Sequence, residues 1–189
     1  MPGSDQEAAR PSGACASDGL AALLLSRIRD VPDYPKPGIV FKDITPLLAD
    51  GPAFAAAVQA LADGSTGVTT VAGIEARGFI LAAPVAYVLG AGFVPVRKGG
   101  KLPAATHAQS YELEYGEATI EVHTDAIAPG DRVLIVDDVL ATGGTAAATA
   151  ELVRRAGATV TGIAVLLEIE FLRGRAKLPN LDVRAVLAV

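Results

Sequence analysis

The stretch that most constrains this chain is Arg132-Val133-Leu134-Ile135-Val136-Asp137-Asp138-Val139-Leu140-Ala141-Thr142-Gly143-Gly144-Thr145. Four apolar, mostly β-branched residues in a row, Val133 to Val136, are how a strand buried on both faces of a parallel sheet is written. Asp137 and Asp138 stand where that strand ends. A turn rich in Thr and Gly then opens a helix, because Ala146 to Arg155 are strong helix formers that place Leu152 and Val153 on an inner face. Gly143 and Gly144 accept positive φ and let main-chain N–H groups converge on an anion, Thr142 and Thr145 add hydroxyl donors, and the helix dipole favours negative charge. A phosphate belongs in such a loop. The two aspartates would repel it if they pointed inward, so they face a sugar diol, a metal ion, or both.

A hydrophobic run closed by two acids also occurs in nucleotide triphosphatases, but those need a Gly-x-x-x-x-Gly-Lys-Ser/Thr loop. This chain has none, since Gly100-Lys101 follows Pro95 and precedes Leu102. An ordinary strand-to-helix turn leaves the two acids and two threonines unexplained.

The 189 residues are expected to form one α/β domain behind a polar, period-free leader, Met1 to Ser17. The 51% apolar content is spread out as Ala and Val, so no window reaches the roughly 20 uninterrupted residues of a membrane span. Asp5, Glu7 and Asp18 stand where a signal peptide needs basic and apolar segments. One cysteine, Cys15, excludes an internal disulfide framework and points to the cytoplasm. Net charge is −5, which argues against nucleic acid as a partner, while the local cluster Arg97, Lys98, Lys101 suits a small anionic substrate.

Recurring strand–helix units frame the signature. A helix capped by Ser17 is expected through about Arg29, with Leu20, Leu23, Leu24 and Ile28 on one face. Asp30 to Asp43, with three prolines and a glycine, reads as a stiff extended loop. Thr45-Pro46 and Gly51-Pro52 are helix starts. Strand Val68 to Ala72 delivers Arg77 into a second loop, and strand Phe93 to Val96 delivers Arg97, Lys98 and Lys101 into a third. Ligands of open α/β sheets sit beyond the carboxyl ends of strands, which is where all these cations fall. The long polar interval Ala104 to Glu117 reads as a lid. Strands are expected again at Thr119 to Val122, Val160 to Leu167 and Val183 to Val189. His107 and His123 lack metal-ligand spacing.

Val133 to Thr145 resembles the ribose-5-phosphate and pyrophosphate binding signature of the type I phosphoribosyltransferases. Pro35-Lys36-Pro37-Gly38-Ile39-Val40-Phe41-Lys42-Asp43-Ile44 resembles the hood segment of the adenine phosphoribosyltransferases. Arg97-Lys98-Gly99-Gly100-Lys101-Leu102-Pro103 and Ser110-Tyr111-Glu112-Leu113-Glu114-Tyr115-Gly116 are similar to two further motifs of that family. The resemblance spans roughly residues 20 to 180. It implies a central parallel sheet flanked by helices, with a hood formed largely by residues 30–45 and a flexible catalytic loop at about 104–117.

The activity it implies is formation of AMP and pyrophosphate from adenine and 5-phosphoribosyl 1-pyrophosphate. By the same resemblance Phe41 stacks on the purine, Val40 and Lys42 offer backbone contacts, and Ile169 packs against the base. Arg77, Arg97, Lys98 and Lys101 take the diphosphate, and Ala141, Thr142, Gly143, Gly144 and Thr145 take the 5′-phosphate. Asp137 and Asp138 hold the ribose, and Glu114, with Tyr115 beside it, exchanges the purine proton. It further implies a cis peptide between Glu75 and Ala76, Mg2+ held mainly through substrate oxygens and water, and a homodimer. Lys42 stands where some relatives have Arg. Two other readings are a sensor on the same fold that binds nucleic acid, which should carry a basic face or an added helix pair, and the same enzyme type acting on an oxo-purine.

Overall fold

The computed structural model describes residues 18–112 and 116–189. The expected leader, the catalytic candidate Glu114 and the substrate-binding candidate Tyr115 lie outside the described residues. Chain order is α1 (Asp18–Leu25), β1 (Arg29–Pro32), β2 (Val40–Asp43), α2 (Thr45–Ala49), α3 (Gly51–Ala62), β3 (Thr70–Ile74), α4 (Arg77–Leu89), β4 (Gly92–Lys98), β5 (Thr106–Glu112), β6 (Glu117–His123), β7 (Arg132–Leu140), α5 (Gly144–Arg155), β8 (Thr159–Glu168), two short 3-10 turns (Glu170–Leu172, Gly174–Lys177) and β9 (Val183–Ala188).

Seven strands form one sheet in the order β5-β6-β4-β3-β7-β8-β9. The five from β4 to β9 run parallel, and the β5–β6 hairpin adds antiparallel to β4 through Arg97 and Lys98. β3 is buried at every residue and Val133 to Val136 of β7 are buried in succession, as a doubly covered sheet requires. α1 to α4 cover one face, where Leu24, Leu47, Leu61 and Leu81 meet Leu134, Val136 and Leu166. α5 covers the other, where Ala150, Leu152 and Val153 meet Val133, Ile135 and Ile163. Alternate residues of β7 thus feed both cores and fix the strand in the middle layer.

Four expectations change. Residues 30–43 are not one extended loop: β1 and β2 pair antiparallel, tied by ion pairs Arg29–Asp43 (2.5 Å) and Lys42–Asp30 (2.7 Å). The prolines fall in the connection, where Tyr34–Pro35 is cis, and at the end of β1, so they cost the ladder little. The interval 104–117 is not a lid throughout, because Thr106 to Glu112 pair along their length with Glu117 to His123. Polar alternation in that segment encodes a strand with one face toward the molecule. β7 runs on to Leu140, so Asp137 and Asp138 lie within it rather than beyond its end. α1 stops at Leu25, four residues before the expected end.

Asp43 locks the hairpin to α2. Its carboxylate accepts from Arg29, from Thr45 N–H (2.9 Å) and from the Thr45 hydroxyl (2.7 Å), and these bonds, that from Arg29 foremost, hold its pKa down at about 2.

Candidate active site

The carboxyl ends of β3, β4 and β7 and the start of α5 surround a cleft of about 230 Å³ containing Arg77, Lys98, Asp137, Asp138 and Thr145. Glu75 and Tyr111 also border it, and Ile74, Val96 and Ile120 give it an apolar wall.

Asp137 and Asp138 differ although they are neighbours. Alternation along β7 sends them to opposite faces of the sheet. Asp137 Oδ1 accepts from the N–H of Asp138 at 2.8 Å. Burial, reinforced by the charge of Asp138, pushes the Asp137 carboxyl well above the usual carboxylate range. Gly78, at the start of α4, makes this packing possible, since a Cβ there would come within 2.7 Å of Asp137 Oδ1. Asp138 is buried, and its Oδ2 lies 2.8 Å from Arg77 Nη2. That oxygen has no directed hydrogen bond, so the contact is an ion pair with acceptor capacity to spare.

Arg77 stands between the acid pair and the hood. Its Nη1 donates to the Lys42 carbonyl at 3.1 Å, and its guanidinium carbon sits 4.7 Å from the centre of the Phe41 ring. Phe41 in turn meets Tyr34 edge to face at 5.2 Å. The side chain expected to grip a diphosphate therefore also ties hood to ribose-side acids.

Glu75 occupies the loop before α4, and its peptide to Ala76 is cis. Burial pushes its pKa up, but Arg97 Nε (3.1 Å) and the N–H of Lys98 (3.1 Å) outweigh burial and hold it below the usual value. Arg97 further donates to the Lys101 carbonyl at 3.0 Å. Glu121 is the matching anchor on β6: burial is opposed by the N–H groups of Leu102 (3.1 Å) and Lys101 (3.0 Å), and its pKa also stays low. These bonds shape the Arg97–Leu102 turn and leave Lys98 and Lys101 exposed, with Lys98 bordering the cleft.

The loop from Ala141 to Thr145 turns at Gly143, which takes φ +78° and is followed directly by the first residue of α5. The first N–H groups of an α-helix have no acceptors within it, so a helix that begins here can offer them to an anion. A Cβ on Gly143 would overlap the carbonyl of Gly174, and one on Gly174 would overlap the carbonyl of Ala141. Gly174 is itself held by the next residue, Arg175, which forks onto Glu168 at 2.7–2.9 Å. Glu168 is buried at the end of β8. In the chain itself nothing marks this brace beyond a glycine followed by an arginine a few residues past a buried strand.

Of the expected base contacts, Phe41 and Lys42 join the site through Arg77. Val40 is 49% exposed, and Ile169 follows β8, its N–H bonded to the Leu140 carbonyl at 3.0 Å. Neither lines the cleft. Tyr111, to which the family resemblance gives no role, also borders the cleft, and its inward position in the alternating β5 pattern is the signal that marks it.

A carboxylate pair beside a Thr-Gly-Gly-Thr helix start, faced by arginine and lysine from neighbouring strand ends, defines a phosphoribosyltransferase. The model of the phosphoribosyl transferase domain family matches residues 47–183. The adenine phosphoribosyltransferase of Streptomyces coelicolor is 68% identical over 162 residues, 85% of this chain and 89% of that protein. The crystal structure of adenine phosphoribosyltransferase from Rhodothermus marinus superposes with a TM-score of 0.88 at 54% identity, covering 92% of this chain and all of that one. That of Saccharomyces cerevisiae, complexed with an iminoaltritol bisphosphate and adenine, gives 0.85 at 38% identity, covering 89% and 99%. The chain belongs to the adenine phosphoribosyltransferase family.

Proposed function

We propose that this chain joins adenine to 5-phosphoribosyl 1-pyrophosphate, releasing AMP and pyrophosphate, as a homodimer in the cytoplasm. The observation that carries the reading is the placement of Asp137 and Asp138 between the Gly143–Thr145 helix start and the cationic turn, with Phe41 of the hood one guanidinium away. The yeast relative, whose crystal structure is a complex with adenine and an iminoaltritol bisphosphate, supports it. No helix among the described residues is long and apolar enough to cross a membrane.

Displacement at the anomeric carbon develops positive charge on the ribose as the diphosphate leaves. Asp137 and Asp138 face that charge and hold the ribose hydroxyls. Ala141 to Thr145 bind the 5′-phosphate through backbone N–H groups and hydroxyls. Arg77 exchanges part of its contact with Asp138 for the diphosphate, joined by Lys98, Lys101 and Arg97, whose guanidinium also holds Glu75 and the turn. Phe41 stacks on the purine, with Val40, Lys42 and Ile169 around it.

The donor set fits a largely hydrated Mg2+. Among the described residues no group of three His, Cys, Asp or Glu converges, whereas the Asp138 oxygen paired with Arg77 makes no directed hydrogen bond and keeps lone-pair capacity at the cleft. Asp137 and Asp138 would hold the ion together with substrate oxygens and water. When bound it supplies charge neutralisation of the diphosphate.

Glu114 accepts the proton that the purine loses, and Tyr115, the next residue in the chain, joins it as a substrate contact. Glu114→Gln is expected to lower kcat by about 10²- to 10⁴-fold while leaving the Kd for phosphoribosyl pyrophosphate within about twofold. Equal losses in both would remove the proton-transfer role.

Incubation of the protein with phosphoribosyl pyrophosphate, Mg2+ and adenine, hypoxanthine, guanine or xanthine in turn tests the reading as a whole. AMP as the sole nucleotide is the expected product. A different nucleotide overturns the base assignment, and no product with any base overturns the activity.

A further inference from the structure

Tyr111 reaches the phosphate loop from a strand that carries none of the acid-and-glycine signature. Its hydroxyl lies 3.1 Å from Thr145 Oγ1, in the first turn of α5. Its ring lies over Gly144, where an added Cβ would come 3.1 Å from the ring edge. On its other side the ring borders an open groove of about 320 Å³ between β5 and α5, so it stands as the wall between that groove and the cleft. The strand is fastened where this matters: Arg155 of α5 donates to the Ala108 carbonyl at 2.9 Å and to Gln109 Oε1 at 3.2 Å.

We infer that Tyr111 is a positioning residue of the 5′-phosphate site, acting through Thr145; the inference rests on the phosphoribosyltransferase reading above. A hydroxyl has one proton and two lone pairs. Thr145 donates to Tyr111 in this structure, and a phosphate entering the loop competes for that proton. Tyr111 then rotates its own O–H to donate into a Thr145 lone pair. The threonine oxygen keeps its place, and the chain from Tyr111 through Thr145 to phosphate is polarised in one direction. Without the phenol, Thr145 must be ordered by the ligand alone. Thr145 is one donor among several backbone groups, so the loss appears in substrate binding and not in the chemical step.

The test is steady-state kinetics at saturating adenine with phosphoribosyl pyrophosphate varied, on the wild type, Tyr111→Phe, Thr145→Val and the double variant. Tyr111→Phe keeps the ring over Gly144 and so retains the fold, which a melting curve checks. It is expected to raise KM for phosphoribosyl pyrophosphate by about five- to tenfold, the worth of one net hydrogen bond, with kcat within about twofold and the KM for adenine unmoved. The double variant is expected to be no worse than Thr145→Val, since the phenol acts only through that hydroxyl. An unchanged KM in Tyr111→Phe, a fall in kcat at constant KM, or a double variant whose defect is the product of the two single ones overturns the inference. A wild type that makes no nucleotide overturns the underlying reading instead, and is seen before any variant is compared.

Discussion

Gly143→Ala is expected to raise KM for phosphoribosyl pyrophosphate, and to depress kcat/KM, by at least about 10²-fold, the cost of misplacing a binding group by an ångström. Two effects combine at this residue. Its φ of +78° is costly for any side chain, by about 1–2 kcal/mol, and the new Cβ would overlap the Gly174 carbonyl. Backbone atoms cannot step aside as a side chain can, so the loop or the 3-10 turn has to move. Movement of the loop turns the N–H groups at the start of α5 away from the phosphate. Gly174→Ala is expected to reproduce the defect from the other side, because its Cβ would overlap the Ala141 carbonyl. Kinetics with phosphoribosyl pyrophosphate varied, alongside a melting curve, check both. A Gly143→Ala enzyme with wild-type KM would show that the loop does not hold the phosphate.

Asp137→Asn is expected to lower kcat by about 10²- to 10³-fold, the scale of one preorganised electrostatic group, and at the same time to raise the Tm of the free protein at neutral pH. The two changes have one origin. Burial and the adjacent Asp138 raise the Asp137 pKa in the folded protein above its unfolded value. The folded state therefore binds a proton more readily than the unfolded one, and stability falls as pH rises from the ordinary carboxylate range through the raised value. Asparagine removes that loss while keeping an oxygen to accept from the Asp138 N–H. A carboxylate disfavoured in the free enzyme becomes favourable against a cationic ribose, and that difference is what accelerates a reaction. Melting curves of wild type and variant should converge toward pH 4 and separate above it. A Tm gap independent of pH would refute the electrostatic account.

Much of this architecture could be read from the chain, for local reasons. Four consecutive apolar residues from Val133 define a doubly buried strand, and Gly143 is a residue type that tolerates positive φ where a helix must begin abruptly. The hood motif marked Phe41 for the base side, and the structure sets that ring against Arg77. Element ends were legible only to within a few residues, since strands extend as far as their neighbours pair with them. Residues 106–112 became a strand for that reason: their alternation is polar, and only the facing residues of β6 give it a ladder.

Legible in the chain alone were the parallel strands and most of the helices that cover them, the Thr-Gly-Gly-Thr turn that opens α5 and the two acids set beside it, whereas the β1–β2 hairpin and β5 were not. Periodicity and residue type are local properties, and local properties survive in one dimension. Tertiary structure alone decided that Arg77 spans from Asp138 to a carbonyl 35 residues away, that Glu75 is neutralised by Arg97, and that Gly174 braces Gly143. It alone decided, too, that Tyr111 meets Thr145 across 34 positions. Each of these is a pairing between distant segments. Such pairings depend on how the sheet orders its strands and how closely two backbones can approach, and no spacing along the chain records either.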